Sequence, residues 1–422
     1  MIRMKNRIYS MIVAMVLALS TFAATIETDR TWYLAGEAMT VSVTDDALFA
    51  YAELCDTHGL AAGVVVRLEG GEGTAVIELP ANLHSGYYVL SVYTRHNPEV
   101  AQRLIAVVNP LRKSMDDDIE WIAITHPDSL SYSLTSNPLP LTSYHPVNVR
   151  ETEGQIIQAR IKNVSNGHAF TADQIRPALS IVGKQIHYFE GQMLNDSTAV
   201  FYTFGIRGKL PLVLSAMSYT GVSLPIEMIS PFATLLPKEL PHLVFHYNRS
   251  EVEARSLDMQ RHQIAITPAK RELKLGDDAD DTAEEVVPLD YSETVFGTKP
   301  DLTYNLDEYR QFLTIREVLL EYVSCVKSTK VYGVPRLLVR KEQETYDTNQ
   351  PTLVLIDGMP VNDVERLLSY DARRIHYINI YAGQYTFGSG VYNGILSFVT
   401  RSGRLTNYPI ERNMQYLVYD FY

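Results

Sequence analysis

Past its first two dozen residues the chain reads as short apolar–polar alternations cut by turn residues. Met39, Val41 and Val43 alternate with Thr40 and Ser42. Val64 to Leu68 run apolar except for Arg67, and Gly70, Gly71 and Gly73 turn into Ala75-Val-Ile-Glu-Leu79. Ser85-Gly86 precedes Tyr87-Tyr-Val-Leu-Ser-Val-Tyr-Thr94, and Leu104 to Val108 end at Asn109-Pro110. Strands of period two with Gly-rich turns predict a β-sandwich over 24–110. A second block follows the same grammar. Gln155 to Ile161 alternate, Leu179 to Val182 meet Gly183, and Gln185–Phe189, Ala199–Phe204 and Leu210–Leu214 continue it. This predicts a second sandwich over 147–235. Residues 111–146 between the two are polar, with Asp116-Asp-Asp118 and the prolines Pro127, Pro138, Pro140 and Pro146. They read as a linker or extended crossing segment.

The pattern changes after 235. Leu240–Tyr247 reads as one strand in an otherwise irregular span, 236–305. Gly276-Asp-Asp-Ala-Asp-Asp-Thr-Ala-Glu-Glu285 lacks the central Gly and closing Glu of an EF-hand loop, so it reads as a solvated acidic linker. From 306 to 405, helix and strand patterns alternate. Thr314-Ile-Arg-Glu317 is a capping box, and Ile315, Val318, Leu319, Tyr322 and Val326 share one helical face. Leu337–Val339 is a strand. Thr352–Ile356 is an apolar strand that stops at Asp357-Gly358. Asn362–Glu365 open a short helix through Leu368. Tyr377–Tyr381 and Ile395–Thr400 are further strands. A compact α+β domain is expected there. The aromatic segment Met414–Tyr422 either completes that domain or pairs with a partner. Completion is preferred, because an exposed strand of this kind aggregates.

The first residues are not fold. Arg3, Lys5 and Arg7, an apolar Met11–Leu19 and the small residues up to Ala24 form the three parts of a secretory signal peptide over 1–23. The apolar run is too short for a confident transmembrane helix. The chain is therefore expected to be exported, to the periplasm or the outer membrane. The 422 residues carry 37 Lys+Arg against 49 Asp+Glu, a net charge of -12, which argues against a nucleic-acid partner. With 27 Tyr the chain favours strands and contact surfaces. Tyr87, Tyr88, Tyr93, Tyr377, Tyr381, Tyr385 and Tyr392 could anchor a partner or stack on sugars, or pack across strands. Two cysteines exclude a disulfide scaffold and a Cys-based zinc site. Cys55 and Cys325 read as two separate thiols.

Catalytic chemistry is not visible. The chain has no Gly-x-Ser-x-Gly elbow, no His-Glu-x-x-His and no phosphate-binding Gly-rich loop. His84-Ser85, His126-Pro-Asp128 and Asp116–Asp118 read as loop residues, and Cys55 has only His58 nearby. No enzyme activity, cofactor or metal is expected.

Two resemblances refine this reading. Leu353-Val-Leu-Ile-Asp357-Gly358-Met-Pro360-Val361, then Arg374-Ile-His-Tyr-Ile-Asn-Ile-Tyr381, then Phe387-Gly-Ser-Gly-Val-Tyr-Asn393-Gly394-Ile395 through Gly403 resemble the plug domain of TonB-dependent outer-membrane receptors. The nearest likeness is to the receptors of Bacteroidota. It implies a plug-like α+β domain in which Asp357, Gly358, Pro360, Val361, Asn393 and Gly394 are structural and interaction positions. By residue chemistry Asp357-Gly358 is a tight turn, Pro360 fixes the chain leaving it, and Asn393-Gly394 is a hairpin dipeptide. About 20 residues follow Arg404, too few for the many strands of an outer-membrane barrel. Trp32-Tyr33-Leu-Ala-Gly36-Glu37 and Leu83–Thr94 resemble macroglobulin-type sandwiches, without a Cys-Gly-Glu-Gln thioester. The expected architecture is mainly β: two Ig-like or macroglobulin-like sandwiches followed by a plug-like α+β domain. The expected function is non-enzymatic protein–protein interaction at the outer membrane, docking on a β-barrel in trans. A surface glycan-binding or adhesive protein is the alternative.

Overall fold

The structure is a computed structural model of the chain. It describes residues 24–124, 138–144, 151–183, 186–266, 299–331, 333–340, 346, 350–387, 390–403, 405 and 408–422. The expected signal peptide, His126–Asp128 and the acidic run lie outside the described residues. The chain forms two compact units: Met1–Glu153 with Pro231–Arg271 and Tyr422, and Gly154–Ser230 with Glu272–Phe421. No described helix is long and apolar enough to cross a membrane.

The first unit contains the expected first sandwich. One sheet holds Thr25–Thr28, Ala38–Thr44 and Glu72–Glu78 in that order. The other runs Trp32–Leu34, Val100–Val108, Gly86–Tyr93, Phe49–Cys55, Leu60–Arg67. Alternation does the work anticipated of it: Met39, Val41 and Val43 point into the core against Ala50, Ala52 and Leu54. The tie between Trp32–Leu34 and Val100–Val108 is parallel.

Phe49–Cys55 is buried along its whole length because its outer face is covered too. The chain returns after Pro231 to cover it. Leu235 packs with Phe49, Tyr51 and Tyr93. Glu53, fully buried, accepts from Leu235 N at 2.5 Å, Thr234 N at 3.0 Å and the Tyr93 hydroxyl at 3.1 Å. This grip holds Thr234 at φ +58°, a conformation that a β-branched residue avoids.

Two expectations for this unit need correction. The supposed linker 111–146 contains a strand, Ile119–Ala123, paired in parallel with Leu243–Tyr247. The span 236–305, read as irregular beyond one strand, contains the helix Arg249–Ile266. The reason is tertiary. Leu243, Phe245 and Val252 bury against Trp32, Leu34 and Val108 on the outer face of the five-stranded sheet. Each such side chain contributes roughly 1.5–3 kcal/mol. That helix has almost no amphipathic periodicity of its own, so its pattern carries little sequence signal.

The second unit begins with the second sandwich. One sheet is ordered Gln192–Asn195, Thr198–Tyr202, Ile156–Ile161, Ile226–Met228. The other is His187–Glu190, Ile175–Ile181, Gly208–Ser218, Ser223–Leu224. The same unit holds the α+β region, whose mixed sheet runs Leu302–Asn305, Ile375–Phe387, Gly390–Thr400, Leu353–Ile356, Met359–Pro360. Leu353–Ile356 lies parallel to Gly390–Thr400. The helix Ile315–Tyr322 starts at the capping box expected of Thr314 and Glu317 and buries Ile315, Val318 and Leu319. With the helix Val364–Leu368 it covers the sheet core of Ile356, Ile378 and Phe398.

The last strand corrects another expectation. Gln415–Phe421 does not complete the α+β sheet; it pairs antiparallel with Gly208–Leu214 of the second sandwich. Phe421 enters that sandwich's core, with Leu417 and Tyr419 packed at its margin. The alternation Leu417, Tyr419, Phe421 suits any half-covered sheet, so local pattern cannot choose between partners.

Candidate functional site

The six plug-motif positions form the internal framework of the second unit. Asp357 and Gly358 are the two central residues of a hairpin between Leu353–Ile356 and Met359–Pro360, with φ +45° and +87°. Two positive φ values define a type I′ turn, which Asp-Gly suits. Asp357 is completely buried. Its carboxylate accepts from Thr400 N at 2.7 Å, Thr400 Oγ1 at 2.5 Å and Leu405 N at 2.9 Å. Its carbonyl accepts from Gly183 N at 3.0 Å. Burial pushes its proton affinity above the ordinary carboxylate range, against the pull of those three donors. A Cβ on Gly358 would lie 2.7 Å from Ile186 Cγ2 and 2.9 Å from the Ile181 carbonyl. Pro360 and Val361 are buried, and Val361 N donates to Val354 O at 2.9 Å.

Asn393-Gly394 is not a hairpin turn. The pair lies inside the strand Gly390–Thr400, at a bulge where Tyr381 faces Ile395 and Gln384 faces Asn393. Gly394 takes φ +87° there, and a Cβ on it would stand 2.8 Å from Val339 Cβ. A bulge and a turn both call for Gly at positive φ, so the dipeptide alone does not separate them. Along the sheet, Asp357 and Asn393 mark opposite ends of the Leu353–Ile356 pairing. The structure therefore joins the six residues in one sheet and does not gather them into one site.

Other candidates also resolve into structure. Asp117 accepts from Ser85 N at 2.7 Å and Ser114 N at 2.8 Å, so Asp116–Asp118 fastens loops. Asp118 hydrogen-bonds His242. Among the described residues no group of three or more His, Cys, Asp or Glu could hold a metal ion. Cys55 and Cys325 are free thiols, and burial pushes the Cys55 thiol up to about 12. That is the opposite of a nucleophile's tuning. Tyr87, Tyr88, Tyr93, Tyr377, Tyr381 and Tyr392 are buried, so the reading of these six as surface anchors gives way to packing.

A different constellation stands out in the second unit. A cleft of about 140 Å³ is lined by two arginines, Arg176 and Arg336, with Met217, Tyr219, Leu338 and Pro351. Arg176 sits on Ile175–Ile181 opposite Met217. Its guanidinium carbon lies 4.4 Å from the Tyr219 ring centre and 5.6 Å from that of Tyr392. Arg176 Nε is buried without a hydrogen-bond partner. Arg336, on Val334–Val339, reaches the turn Tyr219–Val222, where a Cβ on Gly221 would lie 2.7 Å from Arg336 Nη2. That turn is fixed by Gly221 N to Ser218 O at 2.9 Å and Val222 N to Ser218 Oγ at 3.0 Å. Burial and the nearby Arg176 charge pull the Arg336 proton affinity down. Neither arginine has an ion-pair partner among the described residues.

Behind the cleft lies a smaller cavity of about 60 Å³ that shares Arg176 and Arg336 and adds Tyr188 and Tyr392. The Tyr392 hydroxyl donates to Glu190 Oε2 at 2.6 Å and lies 3.0 Å from the Tyr188 hydroxyl. Glu190 Oε1 has no hydrogen-bond partner, and burial raises the proton affinity of that carboxyl. These groups do not stand out in the sequence. The one available signal is a lone Arg beside Pro in two otherwise apolar stretches, Arg176-Pro177 and Pro335-Arg336. Nothing local says that they meet.

No protein-family model matches the chain, and no curated protein matches it in sequence. Solved structures similar to it include a biofilm-associated protein BSP domain, at 11% identity over 52% of this chain and 30% of that one, TM-score 0.18. Trypsin-activated alpha-2-macroglobulin from Escherichia coli is similar at 12% identity over 50% of this chain and 16% of that one, TM-score 0.19. Fibronectin(III)-like modules of Clostridium thermocellum CbhA are similar at 9% identity over 53% of this chain and 100% of that one, TM-score 0.15. The chain thus spans less than a third of the first two. Its own paired sheets define it as a mainly β protein with sandwich domains and an α+β region near the C-terminus.

Proposed function

We propose that the chain is an exported, non-enzymatic protein of the bacterial cell envelope. It works by protein–protein interaction at the outer membrane, with its plug-like α+β region docking on a β-barrel in trans. One observation supports the part of this reading in which the plug-like region stands without a barrel of its own. The Asp357-Gly358 turn is seated on the chain's own second sandwich, through Gly183 N to Asp357 O and through Ile186 against Gly358. The region thereby finds within its own unit a wall for its turn and needs no enclosing barrel to be ordered. In-cell crosslinking of the full chain, followed by mass spectrometry, tests this. Recovery of an outer-membrane barrel linked through residues 300–403 is expected. Crosslinks confined to soluble periplasmic proteins would overturn it.

A glycan-binding or adhesive surface protein is the second reading. Tyr202 and Phe204, 44% and 60% exposed at the end of Thr198–Tyr202, favour it by offering exposed aromatic surface to sugar rings. Protease shaving of intact cells separates the two, since only a surface-displayed chain is cut.

A further inference from the structure

The cleft brings Arg176 and Arg336 together with no ion-pair partner for either among the described residues. Two guanidinium groups repel each other, and proteins place them together, without a carboxylate between them, at cost. Arg176 keeps a buried Nε–H with nothing to receive it, and leaving such a donor unmet costs about 1–3 kcal/mol. Gly221 leaves open the space into which the Arg336 guanidinium fits. The tyrosine ring of Tyr219 faces Arg176 and limits its freedom, so the planar fork is held in place before anything binds. The arrangement is a receptor for an oxyanion.

Charge and lining narrow the anion. Glu190 is the carboxylate group that acts on Arg176 from behind the cleft, and one of its oxygens is already engaged by Tyr392. A carboxylate group sets one negative charge at the two arginines, with any second charge of the ligand a stem's length away, whereas a phosphate dianion sets two at the same point. Met217, Leu338 and Pro351 give the cleft an apolar side, which suits the hydrocarbon next to a carboxylate better than a fully polar ion. About 140 Å³ admits an acidic group and a short methylene stem.

We infer that the cleft between Arg176 and Arg336 binds the carboxylate of an acidic ligand, with both guanidinium groups facing its oxygens and its hydrocarbon against Met217, Leu338 and Pro351. The inference stands on this cleft and does not depend on docking at a barrel. A free small acid and the acidic side chain of a partner protein present the same chemistry.

Isothermal titration calorimetry on the purified full chain distinguishes them. The probes are glutarate, acetyl-Ala-Glu-Ala-amide, the neutral glutaramide and inorganic phosphate, at constant ionic strength. Saturable binding of glutarate or the peptide is expected, weakened at least tenfold by Arg336→Gln and by Arg176→Gln, with glutaramide silent. Tighter peptide binding assigns a protein side chain, and tighter glutarate binding a free acid. No saturable binding of either probe overturns the inference, as does a wild-type response retained in both variants. Phosphate binding as tight as the carboxylates overturns the choice of anion. Phenylglyoxal modification of the unaltered protein needs no variant to fold. Glutarate or the peptide should protect the Arg176 and Arg336 peptides at least fivefold, and equal labelling with and without them counts against the site. Failure of in-cell crosslinking leaves these results untouched.

Discussion

Arg255 grips Glu37 with two nitrogens, Nε to Oε1 at 3.0 Å and Nη2 to Oε2 at 2.5 Å, while its guanidinium carbon lies 3.6 Å from the Trp32 ring centre. Glu37 also accepts from Leu34 N at 2.8 Å, closing the turn through Gly36. The pair joins the helix Arg249–Ile266 to the first strands of its sandwich, and both side chains are largely shielded, at 16% and 10% exposed. Bidentate geometry and shielding make such a pair worth more than a surface bridge. Arg255→Ala should cost about 2–3 kcal/mol by leaving the Glu37 carboxylate poorly satisfied. Arg255→Lys, keeping the charge but not the fork, should recover less than half of that. Thermal unfolding of the three proteins checks the order, and equal midpoints for Lys and wild type would contradict it.

The Asp357 carboxyl has a definite pH signature. Its proton affinity is raised in the fold from an ordinary value of 3.8. An acid raised in this way binds more proton in the native than in the unfolded state. Its stabilising effect is complete below 3.8 and is lost as pH climbs through the raised folded value. Asp357→Asn has no such titration. It should cost about 1–3 kcal/mol at pH 4 for its mismatched donors, and the gap to wild type should narrow towards pH 7. Urea titrations at several pH values measure this; a gap that widens with pH refutes the assignment.

Three glycines with positive φ should separate strain from contact. Gly205, at φ +72° with open space for 4 Å around the point where a Cβ would stand, should tolerate Ala at a cost near that of backbone strain alone, about 1 kcal/mol. Gly358 and Gly394 have comparable φ but meet Ile186 and Val339 inside 3.0 Å. Their Ala variants should lose at least about 1–3 kcal/mol more, as overpacked cores do. Chemical denaturation of the three variants gives the ranking.

Phe421, 2% exposed, is the far anchor of the last strand. Phe421→Ala should destabilise by about 3–5 kcal/mol. The loss should show as faster amide exchange in Gly208–Leu214, the strand that Gln415–Phe421 pairs with. Exchange that rises only in Ile375–Thr400 would mean that the strand belongs to the other sheet.

Cys55 should be inert. With its thiol pushed up to about 12 by burial and by the Glu53 and Asp56 charges, its thiolate fraction at pH 8 is far below that of a free thiol. A disulfide exchange reagent should label it only after unfolding, and native-state labelling would refute the burial argument.

The mainly β class was legible, because Met39, Val41 and Val43 wrote their alternation in plain view, and the Thr314–Glu317 box marked the start of its helix to the residue, though Val326, read on that helix's face, opens the next strand. What escaped was every partner chosen over distance. Leu243 and Phe245 look like any strand until Trp32 is known to lie beneath them. Asn393-Gly394 carries a turn's chemistry and makes a bulge. Arg176 and Arg336 are 160 positions apart, each ordinary alone. Their meeting depends on the pairing of Ile175–Ile181 with Gly208–Ser218 and on the turn that follows it, which no local window contains.

The interleaving of the two units fixes an order of events during synthesis. Glu53 emerges early but its amide donors at 234 and 235 emerge some 180 residues later. The first unit therefore waits, Glu53 still without its two amide donors, while the whole of 154–230 is made. The second unit waits in turn for Gln415–Phe421. Neither is complete until that strand and Tyr422 have been made, and no single cut frees one intact unit from the other.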